Sequence, residues 1–122
     1  MADIRTFRDL IAWQRSMQLA QAVYQLTRTL PDSERFGLVL QMRRAAVSVP
    51  SNIAEGYARQ SRKEYVKFLR IARGSLAELS TQLEIAGGLG MVREDQETLR
   101  LLSEADRILQ GLIRSLTRPP AA

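Results

Sequence analysis

A chain of 122 residues, 45% apolar and 25% charged, suffices for one domain, which at this size buries roughly two thirds of its unfolded surface. It contains no cysteine and no histidine, which excludes disulfides, thiolate nucleophiles, imidazole bases and the usual zinc ligands together. The net charge of +5 is unevenly placed, since residues 35–73 hold nine Lys/Arg against two Asp/Glu while the remainder is net negative.

Sixteen of the eighteen cationic residues are arginine, the side chain suited to bidentate phosphate or carboxylate contacts, so a polyanionic partner is favoured. A genome preferring arginine codons would raise arginine everywhere and would not cluster it. No apolar run approaches the roughly 20 residues that span a bilayer. The opening MADIRTFRDLIAW has acids at Asp3 and Asp9 and no apolar signal core, so a cytoplasmic protein is expected.

The first segment, from about Arg8 to Thr29, places Leu10, Trp13, Met17, Ala20, Val23, Tyr24 and Leu30 at the three-and-four spacing of one helical face. Leu30-Pro31 ends it, because proline drives the preceding residue out of the α region. The second starts near Asp32 or Ser33, either of which can cap, and runs through Phe36, Val39, Leu40, Met42, Ala46 and Val47 toward Pro50. Pro50 removes the hydrogen bond to Ala46 and costs about 3 kcal/mol unless compensated. We read 34–58 as one kinked helix, with a break near Val49 as the alternative. Ser48 and Ser51 are candidates to bond freed backbone groups, and Ala45, Ala46 and Ala54 are small enough for a neighbouring helix to approach. Glu55, the only acid between Glu34 and Glu64, is expected to pair with Arg43, Arg44 or a nearby helix. As a general base it lacks a second carboxylate or an activated nucleophile.

The third segment opens on Ser61-Arg62-Lys63-Glu64, a capping-box pattern. Tyr65, Leu69, Ala72, Leu76, Leu79, Leu83 and Ala86 then form a heptad seam, and Gly87-Gly88 is the expected stop. Measured from that seam, Arg59, Arg62, Lys63, Lys67, Arg70 and Arg73 fall between about 60° and 200° on a helical wheel, away from the core. Arg59 joins them only if the helix extends back before Ser61. Phe68 and Ile71 lie off the seam on the other flank, where a subunit contact is expected. GGLG at 87–90 follows a helix and lacks a lysine, so it is a turn rather than a phosphate loop.

The fourth segment, about Glu94 to Leu116, repeats the pattern with Leu102, Ala105, Leu109, Leu112 and Leu116. Glu94, Asp95 and Glu97 suit its start, and Arg114 and Arg118 its end. Pro119-Pro120 marks an exposed tail, giving an ordered core of about 7–117 and a flexible 118–122. The expected fold is a single all-α domain over 1–122, an up-down-up-down four-helix bundle with the second helix kinked near Pro50.

The run Gln41, Arg43-Arg44-Ala45-Ala46, Ser48, Pro50, Asn52-Ile53-Ala54-Glu55-Gly56, followed by Ser61, Glu64, Phe68-Leu69, Ala72, Gly74-Ser75 and Glu78-Leu79, resembles the four-helix-bundle proteins encoded within intervening sequences of bacterial 23S ribosomal RNA genes. Trp13, Tyr24 and Phe36-Gly37-Leu38 extend the likeness over about residues 7–116. The resemblance implies a homopentameric ring with a basic surface. It also implies kinship with the accessory protein of diversity-generating retroelements, which binds nucleic acid and a reverse transcriptase. Arg43, Arg44, Pro50, Asn52, Glu55 and Gly56 are then a family signature serving fold, assembly or binding. Arg93 stands where related sequences tend to place a serine-like cap, an expected weakness at the start of the last helix.

The leading expectation is a non-enzymatic oligomeric adaptor that binds RNA or DNA through Arg59, Arg62, Lys63, Lys67, Arg70 and Arg73, alongside a protein such as a reverse transcriptase. Because aromatics do not interleave with these cations, phosphate contact is expected rather than base stacking. The alternative is a protein-interaction bundle whose basic face meets an acidic protein. No cofactor, metal or membrane is expected, because no paired-carboxylate, triad or ligand pattern appears and the apolar helix faces are committed to a core.

Overall fold

A computed structural model describes residues 3–93 and 95–119. Glu94, expected in the first turn of the last helix, and residues 120–122 of the expected tail lie outside the described residues. Four helices follow in order, α1 (Ile11–Thr27), α2 (Leu38–Ala58), α3 (Arg62–Gly88) and α4 (Gln96–Thr117), with single 3-10 turns at Phe7–Asp9 and Asp32–Glu34. Helices α1 and α3 each pack against α2 and α4, with no diagonal contact among the described residues, so the four form a square bundle. None of these helices is long and apolar enough to cross a membrane.

The helix ends show how local chemistry sets the boundaries. α2 begins later than the sequence suggests, because Asp32–Glu34 forms its own 3-10 turn and Gly37 stands at the N-cap. The Glu34 carboxylate accepts the Leu38 amide at 3.2 Å, supplying a cap from three residues before Gly37. At α3, Ser61 Oγ accepts the Glu64 amide at 3.3 Å, but Glu64 turns toward Arg59, so only half of the expected capping box forms. α3 runs through Gly87 and Gly88 and stops at Leu89. Gly90, at φ +71°, takes the left-handed turn, with its amide on Gly87 O and the Met91 amide on Ala86 O. That pair of bonds is the Schellman motif, and it moves the expected glycine stop two residues on. Asp95, not position 93, caps α4, accepting the amides of Glu97 and Thr98, so Arg93 leaves this helix start intact.

The buried face of α3 matches its heptad, with Leu69, Ala72, Leu76, Leu79, Leu83 and Ala86 all buried. On α1 the expected stripe holds at Val23 and, just past the helix, at Leu30, and is elsewhere displaced by one residue. The helix buries Ala12, Ser16, Leu19, Val23 and Thr27 and leaves Trp13 half-buried and Tyr24 exposed. The reason is that Ser16 Oγ and Thr27 Oγ1 donate to the carbonyls of Ala12 and Val23, at 2.7 and 2.8 Å. These hydroxyls are satisfied within their own helix, so burying them costs little, and the small side of α1 faces inward. α4 shifts similarly, with Thr98, Leu101, Ala105 and Leu109 buried and Leu102, Leu112 and Leu116 only partly covered.

α2 continues through Pro50 as one helix, which excludes the break near Val49. Ser48 bonds across to α3, sharing a hydrogen bond with Ser75 Oγ at 2.8 Å, and Asn52 Nδ2 donates to both Ser48 O and Ser48 Oγ. Ser51 is exposed and makes no side-chain hydrogen bond among the described residues, contrary to its expected role. Further along, Gly56 is buried at the α2/α3 crossing. A Cβ there would lie 2.7 Å from Phe68 Cβ and 3.3 Å from Tyr65 O. Tyr65 itself stacks edge-on against Tyr57, its buried hydroxyl finds no partner among the described residues, and burial together with Tyr57 pushes its pKa up to about 12.

Two glycine substitutions distinguish this crossing from open helix surface. Gly56→Ala overpacks it and lowers unfolding free energy by about 1–3 kcal/mol. Gly74→Ala in mid-α3, where an added methyl meets nothing within 4 Å, raises it by about 0.5–1 kcal/mol. Urea midpoints of the two variants measure both, and equal shifts would show that the α2/α3 approach is not close. Tyr65→Phe removes an unsatisfied buried hydroxyl and raises stability by about 1 kcal/mol, whereas a loss in the same titration would reveal a partner for that group.

Candidate nucleic-acid interface

The cations expected on one face divide by what surrounds them. Arg59 lies at the C-cap of α2, outside α3, with its guanidinium 3.0 Å from Glu55, 4.0 Å from Glu64 and over the Phe68 ring. It is engaged by its own bundle and does not line the α3/α4 seam. Arg73 bonds Asp106 of α4 at 2.8 Å. Arg62, Lys63, Lys67 and Arg70 are exposed and have no acidic partner among the described residues.

These four free cations border the seam between α3 and α4, where two hollows of about 910 and 740 Å³ meet at Arg70. Arg62, Lys63 and Lys67 line one, beside Val66, Leu116 and Thr117. Arg73, Ser80, Ser103 and Arg107 line the other, over a floor of Gly74, Ala77 and Leu102. The small residues of α3 leave this trough open. Arg107, exposed and without an ionic partner among the described residues, was missed in the sequence because it stands on a different helix, and the signal for it was its place two residues after the core position Ala105.

The two acids of the trough are already engaged. Glu64 faces Arg59, and Asp106 accepts from both Arg73 and Gln110. Partial burial pushes the Asp106 carboxyl up, but the hydrogen bonds from Arg73 and Gln110 and the Arg73 charge outweigh it, so Asp106 titrates below the usual aspartate range. The same bond raises the pKa of Arg73. The trough therefore presents a surplus of positive charge near neutral pH.

The signature residues are mostly fold determinants. Arg43 Nε donates to Thr27 Oγ1 at 2.8 Å and its Nη2 to Tyr24 O at 3.3 Å, while its guanidinium lies 4.5 Å from the Tyr24 ring centre. It clasps the end of α1 to α2. Asn52 and Gly56 serve the α2/α3 contact, and Glu55 pairs with Arg59 one turn on rather than with Arg43 or Arg44. Arg44 is exposed with no ionic partner among the described residues. Pro50 is buried and lines a groove between α1 and α2 with Trp13, Met17, Tyr24, Val47 and Ala54. Phe68 packs on Gly56, so of the two residues expected at a subunit contact only Ile71 remains exposed.

Residues 8–114, spanning all four helices and both walls of the trough, match the model of the 23S rRNA-intervening sequence protein family. The chain belongs to that family. Its fold is also similar to the crystal structure of a protein of unknown function from the S23 ribosomal protein family of Bacteroides thetaiotaomicron. The TM-score is 0.78 at 22% identity, over 85% of this chain and 96% of that one. No curated protein matches the chain. The clasp, the glycine crossing and the free cationic edge described above thus belong to a 23S rRNA-intervening sequence protein.

The Arg73–Asp106 bridge has a defined pH dependence. Because the folded pKa of Asp106 is depressed, its contribution is present above the unfolded value of about 3.9 and is lost as pH falls through the lower folded value. Asp106→Asn should therefore be less stable than the parent near pH 7, with the gap closing below about pH 4. Thermal melts from pH 7 to pH 2.5 check this, and a gap that stayed constant would mean the carboxylate charge plays no part.

Proposed function

We propose that this family member is a non-enzymatic, oligomeric helical adaptor of the bacterial cytoplasm that binds the phosphate backbone of RNA or DNA along the α3/α4 trough. The observation that carries this reading is the set Arg62, Lys63, Lys67, Arg70 and Arg107. Five cations border one groove, while the two acids there are occupied by Arg59 and Arg73. Rigid cations at helical spacing suit a regular backbone, and the absence of any aromatic lining the trough argues against base stacking. The adaptor role, a protein partner such as a reverse transcriptase and a pentameric stoichiometry are carried over from the family resemblance.

Neutralising five phosphates gives a salt slope near −4.5, so affinity for a structured RNA or a duplex DNA should fall about 500-fold between 50 and 200 mM salt. Lys67→Ala and Arg70→Ala should each flatten that slope by about one. Fluorescence anisotropy at several salt concentrations reads both effects. Equal affinity for an acidic polypeptide of matched charge would instead assign the trough to an acidic protein.

A further inference from the structure

Lysine is confined to the trough. The chain holds two, Lys63 and Lys67, both on α3 at the trough's edge, whereas the other sixteen cationic residues are arginine. The distinction is chemical as well as numerical. A guanidinium stays charged in a protein, while a lysine amine can be converted to a neutral amide. The positive side-chain charge of this protein is therefore fixed everywhere except at two positions, and both belong to the proposed backbone-binding site.

The surroundings of the two amines suit that conversion. Lys63 and Lys67 are exposed, have no acidic partner among the described residues and lie about one helical turn apart. The Lys67 ammonium is 5.9 Å from the Phe68 ring centre, at the outer limit of cation–π attraction, so this contact leaves it free to react. Arg70 follows Lys67 by three residues, a spacing that puts their Cβ atoms about 5–6 Å apart on one helix face. Arg62 directly precedes Lys63. All four border the hollow of about 910 Å³, where Val66 and Leu116 supply an apolar lining. Glu64, which also lines the hollow, faces Arg59 at 4.0 Å. An arginine fork, an amine within a turn of it and an apolar wall beside both match the three parts of a small acyl phosphate: its phosphate, its acyl carbon and its alkyl end.

We propose that Lys63 and Lys67 are N-acylation sites that take their acyl group from an acyl phosphate held by Arg62 and Arg70, and that this modification releases the bound polyanion. The unprotonated amine attacks the acyl carbon, an amide C–N bond forms, and the bond from that carbon to the phosphate oxygen breaks. Inorganic phosphate leaves with the electron pair, and the proton of the amine passes to water. No oxidant, reductant or further reactant is consumed. Arginine holds the phosphoryl oxygens through paired hydrogen bonds, and its charge stabilises the phosphate as it departs. Holding the donor beside the amine also replaces a chance encounter by a local one. Each acylation removes one of the five cations of the trough. The release rests on the backbone-binding reading, whereas the reactivity of the amines does not.

Acetyl phosphate is the probe. The full chain is incubated with it at low salt beside a blocked lysine peptide, and acetylation at each lysine is followed by mass spectrometry. Both lysines should react at least about tenfold faster than the peptide, and added inorganic phosphate should suppress the excess by competition. Arg62→Ala with Arg70→Ala should remove most of that advantage. The same variant should react like the parent with the N-hydroxysuccinimide ester of acetic acid, a donor without charge. Both arginines are exposed, so the fold is retained, as circular dichroism melts would verify. A rate equal to that of the peptide, or an advantage that survives the loss of both arginines, overturns the site.

Full acetylation leaves three cations, so the loss of nucleic-acid affinity between 50 and 200 mM salt should shrink from about 500-fold to about 40-fold. Lys63→Arg with Lys67→Arg keeps the charge and resists acylation, and treatment should leave its salt response intact. An identical salt response in treated and untreated parent overturns the release. Fast acetylation of a protein that binds neither RNA nor DNA upholds the acylation site while the backbone-binding reading fails, so the two failures are distinguishable.

Discussion

At Gly56 the α2 and α3 helices come together at a distance that leaves no room for a side chain, and the rest of the bundle is arranged around that crossing. With no Cβ in the way, Phe68 and Tyr65 pack directly on the α2 backbone, and the interface continues along the helices to the Ser48–Ser75 hydrogen bond. That bond, with Asn52 reaching back to Ser48, fixes the axial register as well as the rotation of α3. Once this rotation is set, the cationic residues of α3 turn toward α4 and solvent, and Ile71 and Ile85 turn outward beside α2. A bulkier residue at position 56 would move all of these surfaces together.

The arginines of this protein divide into two populations with different physical tasks. Arg43 clasps α1 to α2 through a fork that lysine would not reproduce, since it donates in two directions and sits 4.5 Å from the Tyr24 ring centre. Arg15 pairs with Glu104 between α1 and α4, Arg73 with Asp106 between α3 and α4, and Arg59 with Glu55 and Glu64 at the α2/α3 corner. Exposed pairs of this kind contribute only about 0–1 kcal/mol each. Their larger consequence is to remove acids from the neighbourhood of Arg62, Lys63, Lys67, Arg70 and Arg107, whose field is then uncompensated. The arginine excess is therefore partly architectural, and the surplus at the trough is what remains after the architecture is served.

The surface accordingly carries three distinct features. The α3/α4 side offers charge over a floor of small residues, the α1/α2 side offers an apolar hollow, and the α2 side of α3 offers isoleucines around a glutamate. The Gly56 crossing links the charged trough to the isoleucines, because it sets the rotation of α3, which carries both.

The sequence by itself determined the class of fold, the four helical segments and the inward face of α3. A clean heptad of leucine and alanine admits one buried face, and the proline, glycine and acidic punctuation around it limits where helices start and stop. It also located the basic stretch and, through the Arg43 to Gly56 run, the family. The tertiary structure decided what periodicity is blind to. Which side of α1 faces inward depended on Ser16 and Thr27 satisfying their hydroxyls within the helix, so that small polar residues went in and Trp13 and Tyr24 became a groove wall. Which cations are free depended on acids distant in the chain, as Asp106 lies 33 residues from Arg73. Arg107 joined the trough because it stands across the seam on α4, whereas Arg59 is held by acids only four and five residues away. Helical spacing describes one helix at a time, whereas the charge and shape of a groove belong to the two helices that form it.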